Sequence, residues 1–150
     1  MKTALSALAL AAGLILSLPV LAESRTSYGP QLEGFSYPHP LKHYRFESQG
    51  KPMQMAYMDV APTGKANGRT ALLLHGKNFC GATWERTIEV LNEAGYRVIA
   101  PDQVGFCSSS KPEGYQFSFA QLAHNTQALL QQEGLDQVSV IGHSMGGMLA

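Results

Sequence analysis

Two kinds of apolar spacing alternate along the chain. Thr70–Leu74, Arg97–Ala100 and Val138–Ile141 are short, nearly continuous apolar runs, the pattern of strands buried on both faces in a parallel sheet. Between them the apolar residues fall at helical spacing. Trp84, Ile88 and Leu91 predict a helix capped by Thr83 and stopped at Gly95. Leu122, Thr126 and Leu129 predict a second, with Ser118 and Gln121 as a capping box and Gly134 as its stop. From residue 70 the order is strand, helix, strand, helix, strand, start of helix, which predicts an α/β fold with a parallel sheet. Upstream, His43–Phe46 and Met53–Val60 flank the polar turn Ser48–Lys51 and predict an antiparallel hairpin. Met53, Met55, Tyr57 and Asp59 would share one face of it, and the methionines read as packing rather than a cofactor box. Residues 61–68 read as a loop and residues 23–40 as an extended lead-in, in which His39, between two prolines, is a loop residue.

The third apolar run leads into Gly142-His143-Ser144-Met145-Gly146-Gly147, which matches G-x-S-x-G. A serine at the tip of a sharp strand-to-helix turn takes a strained backbone conformation. Positions two before and two after it must be very small, because the backbones nearly touch there. Gly142 and Gly146 meet that demand and Gly147 adds room. Ser144 is then a candidate nucleophile, with the Met145 N–H at the helix N-terminus as an oxyanion donor. Neither G-x-x-x-x-G-K-[ST] nor G-x-G-x-x-G occurs, so a phosphate loop and a dinucleotide site are not expected.

Composition adds limits. The chain has 150 residues, 45% of them hydrophobic, and no formal net charge, which fits one modest domain and gives no reason to expect a nucleic-acid partner. Residues 1–22 read as a signal peptide: Lys2, an apolar stretch from Ala4 to Leu16, Pro19, and small residues before a cleavage site after Ala22. The mature chain is expected to be exported, to the periplasm or as a secreted protein, without stable membrane insertion. In such an oxidising compartment Cys80 and Cys107 tend to be bridged.

Three segments occur in a telling order: Leu72-Leu73-Leu74-His75-Gly76, then Pro101-Asp102-Gln103-Val104-Gly105-Phe106, then Gly142-His143-Ser144-Met145-Gly146-Gly147. Together, over residues 41–150, they resemble the N-terminal half of an α/β-hydrolase. The nearest branch includes proline iminopeptidases, epoxide hydrolases, haloalkane dehalogenases and carbon–carbon bond hydrolases. A serine at 144 argues against the dehalogenases and epoxide hydrolases, which use aspartate there. The resemblance implies a mostly parallel sheet with helices on both faces. It implies Ser144 as nucleophile, with the Met145 and Lys77 backbone N–H groups as oxyanion donors and Asn78 as the fallback for Lys77. His75 and Gly76 would be structural, with His75 bracing its own loop, and Asp102 would brace a loop rather than serve as triad acid. His143 would point away from the serine, and His124 would be exposed on its helix. Because the strands ending near Leu74 and Ala100 are neighbours in that fold, a Cys80–Cys107 disulfide is implied on the active-site side.

The family order is Ser, then Asp or Glu, then His. The acid and base are therefore expected beyond residue 150, the chain is read as an N-terminal fragment, and alone it is expected to be inactive. The expected activity is hydrolysis of an ester, thioester, lactone or amide in a small-molecule substrate, through an acyl-enzyme and without metal or cofactor. The alternative is a non-catalytic binding protein of the same fold or an inactive truncated fragment.

Overall fold

A computed structural model describes residues 26–150; the signal-peptide reading of residues 1–22 lies outside them. Five strands form one sheet: β1 (Leu41–Ser48), β2 (Lys51–Val60), β3 (Thr70–Leu74), β4 (Arg97–Pro101) and β5 (Ser139–Gly142), in the order β1-β2-β4-β3-β5. β1 pairs antiparallel with β2 and β2 antiparallel with β4, while β3 pairs parallel with both β4 and β5. Only β2 therefore runs against the rest. The helices are α1 (Glu85–Glu93), between β3 and β4, and α2 (Phe119–Gln132), between β4 and β5. None of the described helices is long and apolar enough to cross a membrane.

Strand alternation divides the core into two layers. Leu72, Leu74, Ile99, Met55 and Tyr57 face α2, where they meet Leu122 and Leu129. Ala71, Leu73, Val98, Ala100 and Met58 face the other way, onto Ile88 of α1. Helices thus cover both faces. The β2 face that carries Met53, Met55 and Tyr57 packs into the core, and the opposite face is buried too. Met55, Ala56, Tyr57 and Met58 are all buried, because α2 and α1 lie on opposite sides of this strand. At the end of the sheet Asp59 is gripped by Arg97, whose Nε and Nη2 donate at 2.8 and 2.9 Å. Burial opposes the Asp59 charge, but hydrogen bonds from Arg97 and Lys42 outweigh it and hold the carboxyl below its ordinary range.

Two local expectations also change. Thr83 does not cap α1: it lies in a 3₁₀ turn, Gly81–Trp84, where its hydroxyl donates to the Cys80 carbonyl at 2.7 Å, and the cap position falls to Trp84. At α2 only half of the capping box forms. The Ser118 hydroxyl accepts from the Gln121 N–H at 3.1 Å, while the Gln121 side chain turns to Asn125. Gly95 and Gly134 do end their helices, at φ of 89° and 67°.

β5 departs most from expectation. Its apolar run predicts a buried central strand, but Val140 and Ile141 are 40% and 39% exposed. Among the described residues β5 pairs on one side only, with β3, and stands at the edge of the sheet.

Candidate active site

β3 is flanked by β4 on one side and β5 on the other, so the strand order reverses around it. In open α/β sheets the crevice beyond the carboxyl ends of the strands at such a reversal is where ligands bind. Here that crevice lies between the loop after β3, which carries His75, Gly76, Lys77 and Asn78, and the turn after β5, which carries Ser144 and Met145.

Ser144 has φ of 53°, in the left-handed region that an L side chain rarely occupies. It is exposed and opens a 3₁₀ turn, Ser144–Met148, where the sequence suggested an α-helix. The glycine requirement is steric at two positions. A Cβ on Gly142 would stand 2.4 Å from the Gly146 carbonyl oxygen, and one on Gly146 would stand 2.0 Å from the Leu74 carbonyl oxygen. The close approach thus involves the neighbouring strand as well as the turn itself. Gly147 is not needed for space, since a Cβ there would meet nothing nearer than 3.8 Å. The His143 ring lies against the loop after β3, edge-on to Phe79 with centroids 5.6 Å apart and close over Gly76.

The loop after β3 is held from beneath. His75 is fully buried. Its Nε2 accepts from the Gln103 N–H at 2.9 Å, which leaves the proton on Nδ1 to donate to the Gly76 carbonyl at 2.8 Å. Both nitrogens are therefore used within the scaffold, and neither is free to take a proton from Ser144. Lys77 and Asn78 follow, both exposed, with Asn78 at φ of 67°. Among the described residues no acceptor engages the Lys77 or Met145 N–H.

Burial holds the His75 imidazole below its ordinary value, against the Gly76 carbonyl and the Asp102 charge, which favour the cation. The unfolded chain then binds the extra proton first. This contribution to stability is complete above the unfolded value of about 6.5 and is lost as pH falls from there towards the depressed folded value. The urea midpoint is expected to drop between pH 7.5 and 5.5, and the drop should shrink in His75→Gln.

Asp102, also buried, joins three segments. Oδ1 accepts from the Gly81 N–H at 2.7 Å and Oδ2 from the Ser108 N–H at 2.9 Å. The Tyr37 hydroxyl also donates to Oδ2. Burial first, and the carboxylate next to it, push the Tyr37 phenol well above its usual range, so it remains a donor. With this many scaffold donors Asp102 braces loops. Sequence reasoning missed Tyr37, because it lies 65 positions away in a stretch without periodicity.

The residues next to two of these donors are covalently joined: Cys80 and Cys107 form a disulfide with Cα atoms 5.8 Å apart. Both sulfurs lie within 4.8 Å of the Asp102 carboxylate, but bonded to each other they offer no thiolate to a metal. The bridge links positions 27 residues apart, and closing a loop of that size stabilises by about 3–4 kcal/mol in the chain-entropy description. A Cys80→Ser/Cys107→Ser double variant is expected to lose about that much in urea unfolding.

Comparison with known proteins agrees with this arrangement. The family model described as "alpha/beta hydrolase fold" matches residues 71–150. A crystal structure of a probable hydrolytic enzyme from Pseudomonas aeruginosa PAO1 shares 68% identity at a TM-score of 0.80, covering 82% of this chain and 39% of that one. An AB hydrolase superfamily protein of Bacillus subtilis (strain 168) is 39% identical over 62% of this chain and 33% of its own length. Epoxide hydrolase 2 of Siraitia grosvenorii is 35% identical over 62% of this chain and 29% of its own length. The chain thus spans about a third of the length of the curated relatives it matches. With the strand order, the glycine-flanked serine turn and the family match in agreement, the chain belongs to the α/β-hydrolase family.

Proposed function

We propose that the protein is an exported serine hydrolase acting by acyl transfer on an ester, thioester, lactone or amide. The observation that carries this reading is Ser144 itself: an exposed serine at φ of 53°, at the carboxyl end of β5, followed by Met145, whose N–H, like that of Lys77, is unengaged among the described residues. Strain of this kind costs of order 1–3 kcal/mol and persists where a function holds it. The Ser144 Oγ attacks the substrate carbonyl. Its proton passes to a general base and on to the leaving group as the carbon–heteroatom bond breaks. The Met145 and Lys77 N–H groups hold the oxyanion, with Asn78 as the alternative to Lys77. Water then cleaves the acyl-enzyme, returning the serine and an acid. The acid and base that complete such a triad are expected from a segment following the nucleophile, as in the family order.

Relatives named as epoxide hydrolases do not move this reading. A serine hydroxyl opening an epoxide would form an ether, which water does not cleave, whereas attack on a carbonyl gives an ester that it does. The disulfide supports export, since such bonds persist in oxidising compartments. The test is covalent labelling of the natural protein with a fluorophosphonate, followed by peptide mapping. Modification at Ser144 supports the reading, and a folded protein left unmodified there would sink it.

A further inference from the structure

A cleft of about 560 Å³ opens beside the serine turn, and Met145 and Lys77 both line it. The residues proposed to hold the oxyanion therefore form one wall of this space. Its other walls are mainly apolar, with Phe106, Phe117, Phe119 and Leu122 beside Gly105 and Ser118. Ligand sites commonly have volumes of 300–1,000 Å³ and this predominantly apolar character.

The aromatic walls are held in place by their neighbours. Phe106 stands edge-on to the buried His75 ring, with centroids 5.5 Å apart. Phe117 packs edge-on to Tyr115 at 4.9 Å, and the Tyr115 hydroxyl is anchored by Ser48 and Asn125. Phe117 also lies over Gly105, where a Cβ would come within 2.9 Å of its ring. Leu122, 4% exposed, closes the floor from α2. Yet Phe117 and Phe119 remain 51% and 49% exposed around the opening. Two large rings at the rim of a cleft that adjoins the reaction centre, Phe117 packed on Tyr115 and Phe119 opening α2, are suited to an apolar group attached to the reacting carbonyl.

We infer that this cleft is the acyl site, and that the substrate carries an extended apolar acyl group rather than an acetyl or a strongly polar one. The inference rests on the serine-hydrolase reading and deepens it. Its occupant is fixed by continuity: a group bonded to a carbonyl carbon at Ser144, with its oxygen towards Met145 and Lys77, has this cleft beside it.

The experiment measures inactivation of the natural protein by O-ethyl alkylphosphonofluoridates with methyl, butyl and hexyl chains on phosphorus. The Ser144 Oγ–P bond forms as the P–F bond breaks, so the readout does not depend on which acyl bond the enzyme prefers. Full burial of each methylene corresponds to about fourfold in rate. The second-order inactivation constant is expected to rise at least tenfold from methyl to hexyl. Phe119→Ala is expected to lower the hexyl-to-methyl ratio at least threefold; Phe119 is the half-exposed first residue of α2, and circular dichroism checks that the fold is kept. Labelling of Ser144 with a flat chain-length profile, or a ratio unaltered by Phe119→Ala, overturns the acyl-site inference alone and leaves the cleft as a surface covered by protein. Absence of Ser144 labelling by every member overturns both.

Discussion

Replacing Ser144 by alanine is expected to lower kcat by about 10⁴-fold or more while leaving the unfolding midpoint within about 0.5 kcal/mol of the natural protein. The size of the loss follows from the role. A nucleophile removed from an acyl-transfer site takes with it the base that serves it, leaving only oxyanion stabilisation and binding. The small effect on stability follows from the structure. Ser144 is exposed, and alanine bears the same Cβ at the same φ of 53°. Ser144→Gly separates the two consequences further. Glycine occupies that φ without steric cost, so relief of strain offsets its greater loss of backbone entropy, and the variant should be as stable as the natural protein or more so. A glycine variant equally inactive and no less stable would identify the strain as serving position 144 in its chemistry. Retention of more than a tenth of the activity in either variant would remove Ser144 from the reaction.

The same residue shows how far the sequence carries. The elbow was legible because its requirements are local: a strand, a turn and two small residues at fixed offsets. β3 and β4 were legible because unbroken apolar runs have few homes other than the middle of a sheet. The loop contacts were not. The donors to Asp102 come from Tyr37, Gly81 and Ser108, and no spacing rule joins such positions before the fold brings them together. The aromatic cleft was hidden for the same reason, since Phe106 follows β4 and Phe117 and Phe119 precede or open α2. Thr83 misled because a threonine before an apolar helix suits a cap and a 3₁₀ turn equally well. At β5 the sequence describes a strand suited to burial on both faces, while among the described residues its two faces stay partly open and it has a ladder partner on one edge only. Its apolar side chains at 140 and 141 thus record a packing requirement that these residues do not meet.

Gly146→Ala is expected to destabilise by about 3 kcal/mol or more, far beyond the usual cost of adding a methyl group at an exposed turn. The new Cβ would lie 2.0 Å from the Leu74 carbonyl oxygen, 2.5 Å from its carbon and 2.9 Å from the His75 carbonyl oxygen. All three are backbone atoms, so no rotamer change relieves the contact. β3 holds the two Leu74 atoms rigidly, with Leu74 buried and its carbonyl accepting from the His143 N–H at 3.0 Å, and His75 is fully buried just beyond it. The turn after β5 must therefore move away from β3 by more than about 1 Å, a displacement of the size that costs on the order of 10²-fold in rate when it misplaces a reacting group. Stability and activity should fall together, because the contact that fixes the turn also sets the distance between Ser144 and the Lys77 loop. Gly147→Ala is the matched control, with its nearest contact at 3.8 Å and an expected effect within about 0.5 kcal/mol. If Gly146→Ala unfolds at the same urea concentration as Gly147→Ala and both keep full activity, the close approach of turn and strand does not set the site.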